Sequence, residues 1–387
     1  MNDNEHKGLL PAGLGDMLPP EAALEASVIE QLMARLAANG YDRVKPPLVE
    51  FEQSLLAGAG QQMASQTFRL MDPVSQRMLG VRADMTLQIA RIAASRLRDV
   101  GRPLRLSYAG QVLRVKGSQL RPERQFAQIG AELIGTDSAE ADAEAVLLSA
   151  LALRSLGIEN LSVDLNLPTL LAAVGSGSGV ADDKFPRLHD ALERKDEAGV
   201  RALLGESDPR AMALFVALLR MVGPADAVVA KIAALDLPEA ARGEARRLGE
   251  VVARLRRADP TLKLTVDPVE YRGFEYHTGV SFTLFALGVR GELGRGGRYV
   301  TSEGEAATGF TLYLDTILQA VKPPPAKRRL LLPSGTPIAD RQRLQQEGFV
   351  TVTALDADGD FKAEAKRIGC THALIDGAVV ALAQQEK

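Results

Sequence analysis

The chain contains very little cysteine, little net charge and few histidines. It has one cysteine, Cys370, four histidines and a formal net charge of −3 over 387 residues. A single cysteine excludes an intrachain disulfide and a cysteine-based zinc site, so we expect Cys370 to pack as a small hydrophobic residue. The low charge excludes a surface that is basic over the whole chain, which nucleic-acid binding would favour. We predict no metal and no cofactor.

Long apolar segments are also lacking. No apolar run approaches the roughly 20 residues of a membrane-spanning helix. Residues 1–7 are polar and carry both signs of charge, so we expect no secretory signal there. These features lead us to expect a soluble protein in a reducing compartment, the cytoplasm.

Hydrophobic residues make up 46% of the chain, which is enough to build cores for two or three domains of ordinary size. Residues 21–39 have apolar side chains at steps of four and predict a helix. The strand expected at residues 41–45 meets Pro46 and Pro47, which cannot donate to a sheet, so it is predicted at an edge or an interface. Further strands are predicted at 104–108, 110–115 and 125–134.

The rest of the chain divides by composition. Residues 184–255 are almost entirely helix-forming and predict a helical insertion, after which sheet patterns return up to about residue 310. Residues 322–328 contain three consecutive prolines between charged residues and are typical of a linker. We therefore predict a domain at 1–321 and a small α/β domain at 329–387.

Two short stretches near residue 280 combine glycines, an arginine and aromatic residues. The first is Tyr-Arg-Gly-Phe-Glu-Tyr-His-Thr-Gly at 271–279, and the second is Gly-Gly-Arg-Tyr at 296–299. An arginine can bind a carboxylate through two hydrogen bonds, and aromatic rings can cover a planar group. Such a pair of stretches favours a pocket for a small zwitterion that carries a ring.

Three motifs in this chain resemble those of the class II aminoacyl-tRNA synthetases, specifically the histidyl branch. The segment 271–279 resembles the branch's Val-Arg-Gly-Leu-Asp-Tyr-Tyr-Thr-Gly motif, and Leu113-Arg114 with residues 125–135 resembles the second class motif. The helix at 21–39 with Pro46 and Pro47 resembles the first motif, which builds a dimer interface in the family. The resemblance covers about residues 8–320. It implies an α+β fold, with an antiparallel sheet flanked by helices.

The resemblance also implies a histidine-binding site. Its candidate residues are Asp84, Thr86, Arg114, Gln128, Glu132, Arg272, Tyr276, His277 and Tyr299. The ammonium of a free amino acid requires an acid such as Asp84. Its carboxylate requires donors such as Arg272 and Gln128, and an imidazole requires an acceptor and a ring, such as Glu132 with Tyr276.

Each candidate also has a structural alternative. Asp84 can cap the helix expected near Thr86, and Glu132 can belong to a solvated strand face. Arg272 can form a structural ion pair, and Tyr276 can be a core residue. His277 stands where the branch has a second tyrosine and can be a hydrogen-bonded histidine rather than a ligand contact. Whether Arg114 still binds a phosphate is open.

The residues that would bind ATP depart from the family pattern. The glutamate that holds adenine in the second motif is replaced by Lys116. Residues 309–316 stand where the branch has its third motif. There a glycine is replaced by Tyr313, which fills space, and an arginine by Thr316, which carries no charge. Loss of an arginine aimed at phosphate costs several kcal/mol of barrier. The sequence therefore predicts that the ATP half of the site is lost while the amino-acid half is kept.

This combination resembles a non-catalytic branch of the superfamily, the regulatory subunits of ATP phosphoribosyltransferase. The resemblance implies a subunit without synthetase activity that assembles with a short-form catalytic subunit and takes part in feedback regulation by histidine. It also implies a homodimer within a hetero-oligomer. No tRNA is expected, because the segment after the triple proline lacks a basic stripe interleaved with aromatics. The alternatives are a divergent histidyl-tRNA synthetase and a stand-alone amino-acid sensor or RNA-binding module.

Overall fold

The computed structural model describes residues 9–118, 121–205, 208–270, 277–355 and 360–382, apart from the side chains at 58, 59 and 62. The chain forms two compact units, Met1–Lys322 and Pro323–Lys387, which we call the first and second unit.

The first unit is built on a large mixed sheet. In its described part, nine strands are ordered β1-β5-β6-β12-β11-β10-β7-β9-β8, and three more form a small sheet ordered β2-β4-β3. The pairs β1–β5 and β7–β9 are parallel and the other pairs are antiparallel. The strands are β1 (Asp42–Arg43), β2 (Val49–Phe51), β3 (Arg69–Met71), β4 (Met78–Val81), β5 (Leu104–Leu113), β6 (Gln125–Ile134), β7 (Leu161–Asn166), β8 (Gly223–Pro224), β9 (Lys263–Val266), β10 (His277–Ala286), β11 (Gly294–Val300) and β12 (Ala306–Tyr313).

Helices surround this sheet. They are α1 (Glu21–Ala37), α2 (Glu52–Leu55), the 3₁₀ helix Gly58–Gln66, α3 (Thr86–Ser95), α4 (Ala139–Ser155), α5 (Pro168–Gly177), α6 (Phe185–Glu193), α7 (Glu197–Leu204), α8 (Pro209–Leu219), α9 (Ala225–Ala233), α10 (Glu239–Ala258) and α11 (Leu314–Ala320). Six of those described, α5 to α10, lie between β7 and β9 in the chain. None of the helices in the described ranges combines the length and the apolar character that a bilayer crossing demands.

The expected fold class is confirmed: an α+β unit whose mainly antiparallel sheet is flanked by helices. Helix α1 forms as its periodicity predicts, with Val28, Leu32 and Leu36 fully buried. The strand before Pro46 is β1, and it lies at one edge of the sheet.

Two local predictions need correction. The strands expected at 104–108 and 110–115 are one strand, because Gly110 pairs with Gln128 and does not interrupt β5. Helix α5 was not predicted, since its sequence is rich in glycine and serine. Burial of Leu170, Leu171 and Val174 stabilises it instead.

The alternation of side chains along β6 separates the two faces of the sheet. Ala127, Ile129 and Ala131 enter the large core that includes α1 and α4. Phe126 and Ile134 enter a smaller core with residues of α3. The polar residues Gln128 and Glu132 lie on the same face as Phe126. Both are buried, as is every residue of β6 after Gln125. A buried strand with polar side chains on one face indicates a site beneath α3.

The second unit is a four-stranded sheet with two helices. Its strands are ordered β14-β13-β15-β16, and β13 is parallel to both of its neighbours. Its elements are β13 (Arg329–Leu332), α12 (Ile338–Gln346), β14 (Val350–Thr353), α13 (Phe361–Arg367), β15 (His372–Ile375) and β16 (Ala378–Ala381). Leu330 and Leu332 pack on one face and Leu331 on the other, where Cys370 is buried as expected.

A buried ion pair joins the sheet to α4. The guanidinium of Arg298 on β11 lies 2.7 Å from Asp142 Oδ1 and donates to the carbonyls of Thr136 and Ser138. Arg247 lies 2.9 Å from the other oxygen of Asp142. Arg298, part of the Gly-Gly-Arg-Tyr stretch, is therefore a structural residue that fixes the N-terminal turn of α4.

We expect Arg298→Met to lower the free energy of unfolding by about 3 kcal/mol, because removing one partner leaves a buried carboxylate and two carbonyls poorly paired. Equilibrium urea unfolding measures the loss. The control is Arg210→Met, which breaks a pair with Asp236 that is exposed on both sides and should cost less than about 1 kcal/mol. Equal losses for both variants would contradict a structural role for the buried pair.

Candidate functional site

The candidate site lies where β6, β11 and β12 meet the segment before α3. Register places Gly309 of β12 opposite Glu132 of β6, and Tyr313 opposite Gln128. Tyr108 of β5 lies on the other side of β6, opposite Gly130. The sheet thus brings residues from distant parts of the sequence to one face, with Asp84 and Thr86 above them.

Asp84, Gln128 and the start of α3 form a closed set of hydrogen bonds. Asp84 Oδ1 accepts from the backbone N–H of Thr86 at 2.9 Å, and Oδ2 accepts from Gln128 Nε2 at 3.0 Å. Gln128 Oε1 accepts from the backbone N–H of Met85 at 3.1 Å. Asp84 therefore accepts from the first N–H group of α3, whose N-cap residue is Met85, and it also lies in the wall of the site. Its carboxylate oxygens retain lone pairs that an ammonium can use.

Glu132 is the most deeply placed charge-bearing group of the site, with 1% of its surface exposed. Its Oε1 accepts from the Tyr108 hydroxyl at 3.2 Å, and its Oε2 accepts from the Tyr299 hydroxyl at 3.0 Å. The hydroxyls of Thr86 and Thr311 lie 3.3 and 2.8 Å from that of Tyr108. The alternative of a solvated strand face is therefore wrong. Among the described residues no lysine or arginine pairs with Glu132.

Burial without a cation changes the acidity of Glu132. The pKa of its carboxyl is raised from 4.5 to about 8. Loss of hydration is the main cause and the charge of Asp84 adds to it, against the lowering effect of the hydrogen bonds from Tyr299, Thr86 and Tyr108. The same burial raises the pKa of Tyr108 well above its usual value. A cationic group brought to Glu132 would favour the carboxylate form and release its proton.

Two glycines make room for this cluster. A Cβ at Gly309 would lie 1.9 Å from Glu132 Oε2, and a Cβ at Gly130 would lie 2.3 Å from the hydroxyl oxygen of Tyr108. Both distances are far below any real contact. The close approach of side chain to backbone at these two positions requires glycine.

The residues enclose a cavity of about 20 Å³, whose walls include Asp84, Thr86, Glu132, His277 and Tyr299. This is room for about one water molecule between the described walls.

His277 begins β10 and forms part of the cavity wall. Burial lowers its pKa from 6.5 to about 4, and the positive charge of Arg295 lowers it as well. The ring is therefore neutral at pH 7, with one donor and one acceptor nitrogen.

The remaining candidates are placed differently. Arg272 and Tyr276 lie outside the described residues. Arg114 follows β5, where its Nε donates to the carbonyl of Ala83 and its guanidinium carbon lies 5.0 Å from the centre of the Phe126 ring. Its buried Nη2 atom has no hydrogen-bond partner among the described residues, so this arginine retains an unused donor.

The residues that depart from the family's ATP-binding pattern are Lys116, Tyr313 and Thr316. Tyr313 is 2% exposed and lies in the cavity wall. Arg121 pairs with Asp315 at 2.7 Å and contacts the hydroxyl of Thr316 at 3.4 Å. The side chain of Lys116 is exposed. Arg121, in the loop between Arg114 and β6, thus contacts Asp315 and Thr316 in the first turn of the helix after β12.

Sequence inspection missed Tyr108 and Thr311, which complete the hydroxyl cluster around Glu132. The available signal was weak: a tyrosine two residues before Gly110, and a glycine, Gly130, two residues before Glu132. Only the strand register shows that tyrosine and glycine face each other.

Among the described residues, one group outside this site has metal-ligand atoms close together. His189, Asp190 and Glu193 of α6 place such atoms within 4.8 Å of one another. The two carboxylates are exposed, and exposed acidic groups at this spacing are common without an ion, so we assign no metal to them.

The chain is similar to known proteins over nearly its whole length. The Histidyl-tRNA synthetase family model matches residues 13–317. Proteins named ATP phosphoribosyltransferase regulatory subunit are 55% identical in Rhodospirillum centenum and 56% identical in Paramagnetospirillum magneticum. These alignments cover 96% and 98% of this chain and 95% and 99% of the relatives.

Solved structures agree on the fold. A protein from Bacillus halodurans C, titled as an ATP phosphoribosyltransferase regulatory subunit/histidyl-tRNA synthetase, superposes with a TM-score of 0.80 at 24% identity, covering 93% of this chain and 96% of that one. A histidyl-tRNA synthetase from Nostoc gives 0.78 at 20% identity, with 96% and 92% covered. At these identities the likeness establishes the fold alone.

The raised pKa of Glu132 predicts a pH-dependent stability. Between pH 4.5 and about 8 the folded protein holds a proton that the unfolded chain releases. The free energy of unfolding should therefore fall as pH rises, by up to about 1.4 kcal/mol per pH unit from this group. Glu132→Gln cannot ionise and should remove this slope, so it gains stability over the wild type towards pH 8. Urea unfolding at several pH values measures the difference.

The lowered pKa of His277 has the opposite effect on the free energy of unfolding, which decreases as pH falls from 6.5 to about 4. This effect is the same in the wild type and in Glu132→Gln, so it cancels in the comparison. Glu303→Gln, at an exposed carboxylate of the turn before β12, serves as the control. If Glu132→Gln kept the wild-type slope above pH 6, the buried carboxyl would not hold a proton.

Proposed function

The chain belongs to the family of ATP phosphoribosyltransferase regulatory subunits, and we propose that it is a non-catalytic subunit that acts with a separate, short-form catalytic subunit. Its relatives of that name match it from end to end, at 55% and 56% identity. The proposed role is to support the first step of histidine biosynthesis and to take part in its feedback regulation by histidine.

One observation supports the proposed absence of synthetase activity. An activating enzyme needs space and free cations for a triphosphate at its third motif. In this chain the corresponding segment contains the ring of Tyr313, and its Asp315 pairs with Arg121. Lys116 puts a positive charge where the family has the acid that holds adenine. Without cations aimed at developing phosphate charge, formation of an adenylate loses its main electrostatic stabilisation.

Histidine is the proposed ligand of the retained half of the site. Asp84 offers a carboxylate for an ammonium, and Glu132 offers an acceptor deep enough for an imidazole N–H. Tyr299 and the neutral His277 supply aromatic surface, and Thr86 supplies a hydroxyl beside them. We assign the ligand carboxylate to Gln128 and Arg114, together with Arg272, while Tyr276 completes the ring side.

The small cavity suggests how such a site could regulate. The described walls leave room for about one water molecule between them, and we propose that histidine binds a more open arrangement of these walls. A ligand shifts an equilibrium only by the difference in its affinity for the two states. Histidine would therefore inhibit the assembly if the pocket is open mainly when the assembly is in its inhibited state.

The oligomer and the location belong to the same proposal. Helix α1 and the edge strand β1 correspond to the family's dimer-forming motif, so we propose a homodimer within a hetero-oligomer. Function in the cytoplasm without tRNA follows from the proposed biosynthetic role.

The second candidate is a divergent histidyl-tRNA synthetase. The match of the Histidyl-tRNA synthetase family model to residues 13–317 favours it, as does the preserved set of Glu132, Gln128 and Tyr299. The positive charge of Lys116, the bulk of Tyr313 and the missing charge at Thr316 oppose it.

We expect the purified chain to raise phosphoribosyl transfer by the short-form catalytic subunit, because an obligate regulatory subunit completes the active assembly. We also expect neither histidyl-adenylate nor charged tRNA from the chain alone. A phosphoribosyl-transfer assay with and without the chain, beside a pyrophosphate-exchange assay with histidine and ATP, measures both. Histidine-dependent exchange would support the synthetase and refute the regulatory proposal.

Glu132→Ala should weaken histidine binding to the isolated chain by at least about tenfold, since it deletes a buried acceptor that becomes charged when a cationic group binds, worth roughly 1.5–3 kcal/mol. Calorimetric titration measures the affinity, and Glu303→Ala is the exposed control. In the complex, the variant should keep activation of the catalytic subunit and lose sensitivity to histidine. Unchanged inhibition by histidine would place the feedback site elsewhere, and absence of histidine binding by the wild type would remove the pocket from the proposal.

A further inference from the structure

Arg295 of β11 lies in the wall of the cavity that also contains Glu132. Among the described residues that line this cavity, Arg295 is the only one with a permanent positive charge. Gln128 and Arg114, two of the donors proposed for a ligand carboxylate, lie outside this wall. The cation that borders the cavity directly therefore comes from a residue that no sequence motif singled out.

The alternation of side chains along β11 explains why Arg295 reaches the cavity. Residues 295, 297 and 299 point to one face of the sheet, and the Tyr299 hydroxyl on this face donates to Glu132. Gly297 lies between the other two, and a Cβ there would lie 2.9 Å from Cδ2 of His277. The face that carries Tyr299 thus also carries Arg295, with the His277 ring against the glycine between them.

Strand register places Arg295 at a defined distance from the buried carboxyl. Glu132 of β6 is opposite Gly309 of β12, which is opposite Gly297 of β11. Arg295 is opposite Thr311, in the next row of side chains on the same face. Two residues of a strand extend about 6.6 Å, so Arg295 originates one side-chain position away from the row of Glu132.

The next row beyond Arg295 contains Gln128 and Tyr313, which are opposite each other. The guanidinium carbon of Arg295 lies 5.9 Å from the centre of the Tyr313 ring. Gln128 donates to Asp84 at 3.0 Å, and Asp84 also lies in the wall of the cavity. Arg295 and the hydrogen-bond partner of Asp84 are therefore displaced from Glu132 in the same direction along the sheet.

A free amino acid carries its ammonium and its carboxylate on one carbon. If Asp84 takes the ammonium and Glu132 the imidazole, the carboxylate donor must lie near Asp84 and away from Glu132. Arg295 meets both conditions, and a guanidinium can bind a carboxylate through two parallel hydrogen bonds. We propose that Arg295 binds the carboxylate of the ligand, and that the site thereby selects a complete amino acid over an amine with the same ring. This inference rests on the proposed binding of histidine.

The ion pair between Arg295 and Glu292 gives the guanidinium a fixed position in the wall. Nη2 of Arg295 lies 2.5 Å from Oε1 of Glu292. A guanidinium has five N–H donors and can hold two carboxylates at once. Glu292 therefore orients the arginine, and a ligand carboxylate would be its second anionic partner.

The test compares two ligands and two proteins. Wild type and Arg295→Gln, both full length, are titrated calorimetrically with histidine and with histidinol, which keeps the ammonium and the imidazole but has a hydroxymethyl group in place of the carboxylate. The wild type should prefer histidine by at least about tenfold, because hydrogen bonds between two charged groups are the strong ones. Arg295→Gln should bind histidine about tenfold more weakly and histidinol within about threefold of the wild type.

Two further variants control for charge and folding. Arg290→Gln removes an exposed arginine from the turn between β10 and β11 and should keep the full preference for histidine. Arg295→Lys keeps the charge without the planar fork and should lower the preference by at least about threefold. Thermal unfolding verifies that each variant is folded, and the lysine variant decides the matter if Arg295→Gln does not fold.

The outcomes separate this inference from the proposed function. If the wild type binds histidine but Arg295→Gln weakens both ligands by the same factor, or weakens neither, the inference alone is overturned. Wild-type preference in a folded Arg295→Lys, or loss of the preference in Arg290→Gln, also overturns it. If the wild type binds no histidine, the proposed ligand fails and the inference fails with it.

Discussion

The arrangement of the site depends on one constraint, the burial of the Glu132 carboxyl without a basic partner. A carboxylate in such a place must lose its charge or gain strong donors. The chain supplies two phenol groups, from Tyr108 and Tyr299, which satisfy both oxygens without adding positive charge. The carboxyl therefore stays ready for a cation or an N–H donor brought by a ligand.

This constraint extends into the sheet. Tyr108 reaches Glu132 only because Gly130 leaves its ring room, and Glu132 sits against β12 only because Gly309 has no side chain. Neighbouring residues on β11 serve opposite faces: Tyr299 enters the site, while Arg298 ties the sheet to α4 through Asp142. The same strands that build the site therefore anchor the large core behind it, and alternation along each strand keeps the two roles apart.

The sequence predicted most elements, because their signals are local: the periodicity of α1, the prolines after β1, and the buried run of β6. The resemblance to the histidyl branch also placed Asp84, Gln128, Glu132 and Tyr299 in one expected site. It did not predict Tyr108 or Thr311, since their roles depend on which strands lie side by side. Nor did it separate Arg298 from Tyr299, because the face of an irregular glycine-rich strand is fixed by pairing and not by composition.

The charges around the site fit the proposal that activation chemistry is lost while recognition of an amino acid is kept. An enzyme that activates an amino acid must leave cations unpaired until ATP arrives, and this costs stability in the free protein. In this chain Asp315 and Glu292 pair with Arg121 and Arg295, and the ring of Tyr313 fills the space between them. Asp84 and Glu132, in contrast, remain without a basic partner among the described residues. The positive charges near Tyr313 are thus compensated within the chain, whereas the acidic groups of the cavity have no such partner. That polarity favours a cationic ligand over an anionic one, which is consistent with the proposed binding of histidine.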